Sequence, residues 1–138
     1  MLGDKMKFNR TSRNALLSVI LGDGYLGKTG NGCILHCAAQ HDYLIWKVAY
    51  LRKFNISCGD IKFKNNVGFP AYYIYINTTK WGKLLRRILY KDGFKNIYNR
   101  KLLNRLDPIH LAIWFMDDGS LSQTQKDGKV CAYALMIN

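Results

Sequence analysis

The sequence predicts an α+β fold in which single helices alternate with antiparallel β-hairpins. Apolar residues recur at helical spacing in several stretches, and between these stretches lie pairs of short extended segments joined by turn-forming residues. In addition, 49% of the residues are apolar, which is enough for one hydrophobic core. A length of 138 residues leaves no room for two complete domains.

The first four predicted elements occupy residues 12–54. Ser12 or Asn14 caps a helix over residues 12–23, which ends where glycines follow the apolar run. Two extended segments, 24–28 and 33–40, are separated by a glycine-rich turn and predict a hairpin. Residues 41–54 are helical in composition.

A second hairpin and three further helices are predicted after residue 54. The segments 60–64 and 69–77 are joined by Asn65-Asn66-Val67-Gly68, which is strong turn chemistry. Thr78 or Thr79 caps an amphipathic helix that ends at Asp92-Gly93. A short helix over residues 100–106 follows, and Pro108 opens the last helix, which ends in two acids and a glycine. Residues 130–137 predict one extended strand.

The charge of the chain restricts the class of partner. Its 21 Lys and Arg against 9 acids give a net charge of +12 and a pI near 9.7, which indicates that the binding partner is a polyanion. A polybasic membrane-surface protein would carry an amphipathic or lipidated segment beside a charge cluster, and neither is visible. The apolar runs are too short to span a bilayer, and the N-terminal decapeptide MLGDKMKFNR does not resemble a signal peptide. We therefore expect nucleic acid and no membrane as partner. The expected location is intracellular, in a mitochondrion, another organelle, or phage or bacterial cytoplasm.

Four cysteines raise the question of a disulfide or zinc site. They form no CxxC pair and show no paired-histidine spacing. Cys33 and Cys37 fall on one face of a predicted strand and His36 on the other, so these three do not converge on one ion. Free, buried thiols are the prediction.

Two nine-residue segments repeat one pattern. LLSVILGDG (16–24) and LAIWFMDDG (111–119) are both apolar helices that end in Asp-Gly and continue into an extended start. Together they resemble the two LAGLIDADG motifs of a single-chain homing endonuclease, with Asp23 and Asp118 at the eighth, acidic position of each copy. The separation of about one αββαββ unit also resembles this family. The resemblance covers essentially the whole chain, most specifically residues 14–26 and 94–121.

The resemblance implies the LAGLIDADG homing endonuclease fold, an αββαββα half with a curved antiparallel sheet plus the start of a second half. It assigns residues 1–106 to the first half-domain. Residues 107–138 then form the second motif helix and the start of an incomplete second half-domain. In the family the motif helices pack side by side, and small residues permit their close approach, here Ser18 and Gly22 against Ala112.

Only about twenty residues follow the second motif, whereas the family's second half needs a further hairpin, helix, hairpin and helix. The expected partner is therefore the remaining C-terminal half of the same protein or a complementing chain, with a fragment as the favoured interpretation. We expect little or no cleavage by this chain alone.

The implied activity is that of an intron- or intein-type homing endonuclease, which cuts double-stranded DNA at a specific site by metal-dependent phosphodiester hydrolysis and leaves 3′ overhangs. Such hydrolysis needs an activated water, charge neutralisation on the phosphate and help for the leaving oxygen, all of which carboxylate-bound divalent ions supply. Mg²⁺ (or Mn²⁺) prefers oxygen ligands. The predicted metal ligands are the carboxylates of Asp23 and Asp118 and the backbone at Gly22 and Asp117. The predicted catalytic residues are Asp23, Asp118 and Lys95, the last because the family places a lysine shortly before the helix that leads into the second motif.

Strand alternation separates a packing face from a polar face. In residues 33–40 we assign Cys33, Leu35, Cys37 and Ala39 to packing, and in the second hairpin Ile61 and Phe63 oppose two lysines. The polar face is the predicted surface for the major groove of DNA. Its predicted members are Lys28, His36, Gln40, Lys62, Lys64, Tyr73, Tyr75 and Asn77.

Two alternatives from other classes stay open at this stage. Some proteins with LAGLIDADG motifs are RNA-binding intron maturases, and a DNA-binding regulator can retain the fold without catalysis. The intact acids Asp23 and Asp118 argue against a pure maturase, and a regulator would not need them.

Overall fold

A computed structural model describes residues 9–66, 68–97 and 99–137 of the chain. Two parts of the predictions lie outside the described residues: Val67 of the predicted turn, and residues 1–8 of the N-terminal decapeptide. The first helix, α1, spans Arg10–Leu21. Its cap is Asn9, whose side chain accepts the Ser12 N–H at 2.9 Å, so the predicted caps are wrong by one turn. The two predicted capping side chains instead bond distant parts of the chain. The Ser12 hydroxyl donates to the Phe54 carbonyl, and the Asn14 amide donates to the Arg105 carbonyl.

The main sheet is antiparallel and contains five strands: β1 (Gly24–Leu26), β2 (Gly32–Cys37), β3 (Ser57–Cys58), β4 (Lys62–Asn66) and β5 (Phe69–Asn77). β5 lies between β2 on one side and both β3 and β4 on the other. The two predicted hairpins are therefore present, while β3 was not predicted. β2 ends three residues earlier than predicted, because a 3₁₀ turn over Ala38–Gln40 leads into α2 (His41–Lys53).

After β5, the described residues form three helices and two further hairpins. α3 spans Thr79–Leu89 and is followed by the two-residue strands β6 (Tyr90–Lys91) and β7 (Phe94–Lys95), then by α4 (Arg100–Leu103) and α5 (Pro108–Asp118). The chain continues into β8 (Gly119–Lys126) and β9 (Lys129–Ile137), which pair as a hairpin rather than as the single predicted strand. Among the described residues, no helix combines the length and apolar character needed to cross a membrane.

Both additional hairpins are closed by the same dipeptide. Asp92-Gly93 and Asp127-Gly128 have positive φ at both residues, 51° and 85° in the first case and 52° and 75° in the second. Two consecutive residues with positive φ define a tight hairpin turn whose twist matches that of the strands. The prediction that Asp92-Gly93 ends α3 is thus wrong in detail, because the helix stops at Leu89 and the dipeptide turns a hairpin.

α1 lies in the middle of the core. Its side chains from Ala15 to Leu21 are buried, against the sheet residues Ile34, Ile74 and Ile76 and against Trp114 of α5. α2 adds a buried stripe to the same cluster. A helix that is apolar on all sides is stable only where packing surrounds it, so the C-terminal end of α1 is fixed at the centre of the molecule.

The cap of α5 contains a buried histidine that acts as an acceptor. His110 is 2% exposed, and its Nδ1 accepts the Asp107 N–H at 3.0 Å. Burial lowers the pKa of His110, and the nearby Asp107 carboxylate only partly opposes this effect. Protonation would replace the acceptor with a donor and break the cap.

We predict that acidification destabilises the fold through His110. Because its folded-state pKa lies below the unfolded value of about 6.5, the unfolded chain takes up the proton first, and stability falls as the pH drops below about 6.5. His110→Gln keeps a cap acceptor without titrating, so it should flatten the dependence of the urea midpoint on pH between 5 and 7.5, by at most about 1.4 kcal/mol per pH unit. The control is His41→Gln, at a partly exposed histidine that opens α2. Equal slopes for the wild type and His110→Gln would contradict the prediction.

Candidate functional site

The two motif helices meet at their C-terminal ends, where Asp117 of α5 covers Gly22 of α1. The Asp23 N–H donates to Asp117 Oδ2 at 3.1 Å. A β-carbon added at Gly22 would overlap the Asp117 carboxylate. The two motif copies therefore differ at their seventh position in a complementary way, since glycine in the first copy leaves the space that aspartate of the second copy fills.

The Asp117 carboxylate is the most fully bonded group of this region. Its side chain is fully buried. Besides the Asp23 N–H, its Oδ1 accepts the Tyr43 hydroxyl at 2.9 Å and the Lys47 ammonium at 2.5 Å. The sequence prediction gave Asp117 a role through its backbone, but in the structure the side chain carries the interactions, because it points back onto α1 and α2.

Lys47 supplies a positive charge from inside the core. Its side chain is 0% exposed, and burial lowers the pKa of Lys47 while Asp117 and Asp23 oppose that shift. The Nζ atom lies 2.9 Å from His36 Nε2, 3.9 Å from Asp23 Oδ2 and 4.5 Å from the centre of the Tyr43 ring. A buried ion is tolerated only with this degree of pairing.

His36 connects Lys47 to the first motif acid. An ammonium group only donates, so His36 Nε2 accepts from Lys47 and the ring proton resides on Nδ1. Nδ1 is 3.0 Å from Gln40 Oε1 and 3.3 Å from Asp23 Oδ2. Burial, and then the Lys47 charge, lowers the pKa of His36. His36 is buried and faces this network, so its predicted place on a DNA-contacting surface is wrong.

Asp23, Asp118 and Lys95 lie in the same electrostatic environment. Burial and then Asp117 raise the pKa of Asp23, while burial raises the pKa of Asp118 against the effect of Lys95. Burial lowers the pKa of Lys95, and the three carboxylates of Asp118, Asp23 and Asp117 act in the opposite direction. The structure thus brings the three predicted catalytic residues together, and their catalytic roles stay predictions.

Lys95 is fixed by the end of α1. It follows the β6–β7 turn, and its ammonium donates to the Gly22 carbonyl. This carbonyl was predicted as a metal ligand, and in the structure it accepts the lysine ammonium, while its metal-binding role stays a prediction. Asp23 keeps 31% of its side chain exposed, so its carboxylate reaches solvent beside Lys95.

Among the described residues, Asp23, His36 and Asp117 form a group that suits a metal ion. One ligand atom of each lies within 4.8 Å of the others. The set contains two carboxylates and one imidazole, which is a donor set for transition metals. Its interior faces the buried ammonium of Lys47.

The outer face of the sheet carries most of the predicted DNA-binding residues. Residues paired directly across antiparallel strands point to the same side, and the register places Lys62 and Leu35 beside Tyr73, and Cys33 beside Tyr75. The outer face therefore contains Tyr25, Cys33, Leu35, Cys37, Lys62, Lys64, Tyr73, Tyr75 and Asn77. Lys62 also lies over the Tyr75 ring, at 5.8 Å from its centre.

The faces of β2 are reversed relative to the prediction. Ile34 and His36 point to the core, whereas Leu35 and Cys37 are exposed and Cys33 is half-buried. The prediction relied on the two cysteines and Leu35 to identify the packing face. The opposite face also contains an apolar residue, Ile34, which is 0% exposed and points to the same side as His36. The four thiols are free, as predicted, but none is fully buried, and the reversal of β2 accounts for this at Cys33 and Cys37. Phe63, predicted to pack, is 56% exposed.

Lys28 and Gln40 lie at opposite ends of β2. Gln40 is exposed at the start of α2 and bonds His36. Lys28, in the β1–β2 turn, lines a cavity of about 450 Å³ together with Lys83, Arg86, Arg87, Tyr90 and Gly93. Arg86 is held inside by Tyr90, whose ring centre is 4.5 Å away, and by the Leu26 carbonyl. The cavity is therefore strongly basic.

The predicted small-residue helix interface is only partly present. Ser18 is buried, but its hydroxyl donates to the Ala15 carbonyl of its own helix at 2.8 Å. Ala112 is exposed, because Ile113, Trp114 and Asp117 form the side of α5 that faces α1. Gly22 is confirmed as a point of close approach, because it lies directly against Asp117 of α5, whereas the role of Ser18 at the interface stays a prediction.

Lys47 and Tyr43 are the site residues that the sequence analysis missed. The missed signal is that Lys47 occupies an apolar position of α2, because Leu44, Lys47, Val48 and Leu51 are its buried residues and share the i, i+3, i+4, i+7 spacing. A lysine in such a stripe requires a buried partner.

The chain belongs to the LAGLIDADG DNA endonuclease family, whose model matches residues 13–137. The predicted family is thereby confirmed. In structure the chain is similar to the homing endonuclease I-WcaI bound to its DNA recognition sequence, with a TM-score of 0.61 and 21% identity over 81% of this chain and 52% of that chain. This likeness confirms the predicted LAGLIDADG homing endonuclease fold.

Two relatives in sequence are proteins named RecA. The chain is 29% identical over 113 residues to the protein from Mycobacterium shimoidei, covering 78% of this chain and 25% of that protein. It is 32% identical over 119 residues to the protein from Mycolicibacterium flavescens, covering 80% and 26%. The chain thus spans about a quarter of the length of these relatives.

We predict that Gly22→Ala destabilises the fold by about 1–3 kcal/mol, the usual cost of overpacking, because the added methyl group displaces the Asp117 carboxylate. Urea denaturation followed by circular dichroism measures the change. The control is Gly59→Ala, where the nearest atom to the new β-carbon is 3.7 Å away, and its effect should stay within about 0.5 kcal/mol. Equal losses in both variants would argue against close contact between residues 22 and 117.

Proposed function

We propose that this chain forms the first half of a site-specific double-stranded DNA endonuclease and contributes the central motif acid of the second half. The observation that carries the proposal is the convergence of Asp23, Asp118 and Lys95 at the ends of two packed helices, beside a sheet with an exposed basic and aromatic face. Membership of the LAGLIDADG DNA endonuclease family supports it.

The carboxylates of Asp23 and Asp118 are the proposed ligands of a divalent ion, Mg²⁺ or Mn²⁺. Oxygen donors in a partly exposed setting suit these hard cations, which retain several waters. Asp117 is fully buried and already accepts hydrogen bonds from Tyr43, Lys47 and the Asp23 N–H, so it is not a proposed ligand on this side. When bound, such an ion supplies charge neutralisation for the phosphate and a more acidic water.

Lys95 is proposed to stabilise the negative charge that develops on the scissile phosphate. Its hydrogen bond to the Gly22 carbonyl holds the ammonium at the end of α1, within the influence of all three acids. A positive charge that is positioned before the reaction needs little reorganisation during it. The proposed product has 3′ overhangs, as expected from the family resemblance.

The outer face of the sheet is the proposed DNA-binding surface. Lys62, Lys64 and the exposed tyrosines offer hydrogen bonds and stacking area for the major groove. The basic cavity that contains Lys28 and Arg87 is suited to backbone phosphates. Most of the net charge of +12 would then contribute to binding by contacts with DNA phosphates, so the affinity for DNA should fall as the salt concentration rises.

A second half is the proposed protein partner, supplied by the rest of the same protein or by another chain. Tyr133 and Leu135 on β9 are 64% and 71% exposed, and Leu111 and Met116 on α5 are exposed as well. Exposed large apolar side chains on two neighbouring elements favour an interface with another polypeptide. The chain also covers 52% of the similar endonuclease chain. For location we propose the intracellular compartment that holds the target DNA.

We predict that Asp23→Asn and Asp118→Asn each reduce cleavage by on the order of 10²-fold or more while DNA affinity changes little, because charge stabilisation is lost and the sheet is untouched. With the second half supplied, duplexes selected from a random pool by binding to the wild type would be incubated with Mg²⁺ or Mn²⁺ and scored for double-strand cuts. Asp127→Asn, in the β8–β9 turn, is the matched control. Cutting that survives both central substitutions would overturn the assignment, and preferential selection of RNA would favour a maturase.

We predict that the 138-residue chain binds DNA weakly and cuts it little unless a second half is supplied, since the exposed face of β9 then remains uncovered. Adding a polypeptide that provides the remaining hairpins and helices should restore cutting and protect β9 amides from hydrogen exchange. Robust cutting by the monomeric chain alone would refute the proposed partner.

A further inference from the structure

We propose that the ammonium group of Lys47 holds the position of a metal ion in the triad of Asp23, His36 and Asp117. The three ligand atoms lie within 4.8 Å of one another. Nζ of Lys47 is 2.5 Å from Asp117 Oδ1, 2.9 Å from His36 Nε2 and 3.9 Å from Asp23 Oδ2. One nitrogen therefore faces all three groups that a cation would engage.

The donor chemistry of the triad agrees with this assignment. Two carboxylates and a neutral imidazole are the ligands that zinc, cobalt and manganese select. An ammonium satisfies the same lone pairs by donating hydrogen bonds, including the Nε2 lone pair of His36 that a metal would use. Gln40 orients the other ring nitrogen in the way that second partners of metal-bound histidines do.

The lysine cannot leave the triad easily. Its side chain is 0% exposed and extends from a buried position of α2. An entering ion would have to displace a covalently tethered charge and leave it without partners in the core, which is costly. Divalent ions are therefore confined to the solvent side of Asp23, where the proposed function places them.

The Lys47 ammonium also explains how the carboxylates of Asp23 and Asp117 can pack together without a metal ion. Burial and then Asp117 raise the pKa of Asp23, and the Lys47 charge, which lies inside the core, opposes the shift. The junction between α1 and α5 is consequently formed whether or not metal is present. This inference concerns folding and metal selectivity, so it does not depend on cleavage.

Lys47→Met tests the inference, because it removes the charge but leaves the triad and most of the side-chain volume. Zn²⁺ affinity would be measured by calorimetry, and Co²⁺ would be used as a visible probe of imidazole ligation. We expect Lys47→Met to bind Zn²⁺ tighter than the wild type by at least about tenfold, which corresponds to about 1.4 kcal/mol. The gain should disappear when His36→Gln is added. Tight, His36-dependent binding of Co²⁺ by the wild type would overturn the proposal, as would the absence of any gain in Lys47→Met.

A second measurement covers the case in which Lys47→Met unfolds because Asp117 is left unpaired. Zn²⁺ should then restore the circular dichroism spectrum of Lys47→Met, and failure to do so counts against the proposal. Lys47→Met combined with Asp117→Asn is the matched control, because it removes the unpaired charge together with one ligand. This double variant should fold without Zn²⁺ and gain no stability from it. None of these readouts measures DNA cleavage, so their failure is distinguishable from a failure of the proposed nuclease.

Discussion

The ion pair between Lys47 and Asp117 is the interaction on which the centre of this protein depends. It joins α2 to α5, the helix of the second motif, at a point where neither side chain reaches water. Because Asp117 also accepts the Asp23 N–H and lies over Gly22, the same carboxylate fixes where α1 ends. The placement of Asp23, and through the Gly22 carbonyl that of Lys95, follows from this one buried contact.

This arrangement makes two related motifs chemically unequal. The first motif has a glycine where the second has Asp117. The three side chains nearest Asp117 and Asp23, those of Tyr43, Lys47 and His36, all come from β2 and α2, which follow the first motif. Asp23 consequently has a histidine and a buried lysine nearby, whereas Asp118 faces mainly Lys95. Two acids that occupy equivalent motif positions thus have different surroundings.

Sequence reasoning recovered the parts of the fold that local periodicity determines. The predicted helices and hairpins are present, and the repeated Asp-Gly helix ends identified the family before any contact was known. It failed where tertiary contacts decide, as in the cap at Asn9 and the orientation of β2, whose side chains alternate between two surfaces that both contain apolar residues. Lys47 escaped notice because charge alone suggests an exposed position, and only its place in the buried stripe of α2 shows otherwise.

The β8–β9 hairpin has a consequence for the behaviour of the isolated chain in solution. Within the described residues it forms a separate two-stranded sheet, so each strand keeps one edge of unpaired backbone groups beside exposed Val130, Tyr133 and Leu135. Open edges with apolar side chains template intermolecular pairing. The segment between Gly128 and the end of β9 contains no charge after Lys129 and no proline, which are the usual safeguards against fibril formation. This part of the sequence therefore favours self-association of the isolated chain at high concentration. A lysine substituted on the open edge of β9 would oppose that association.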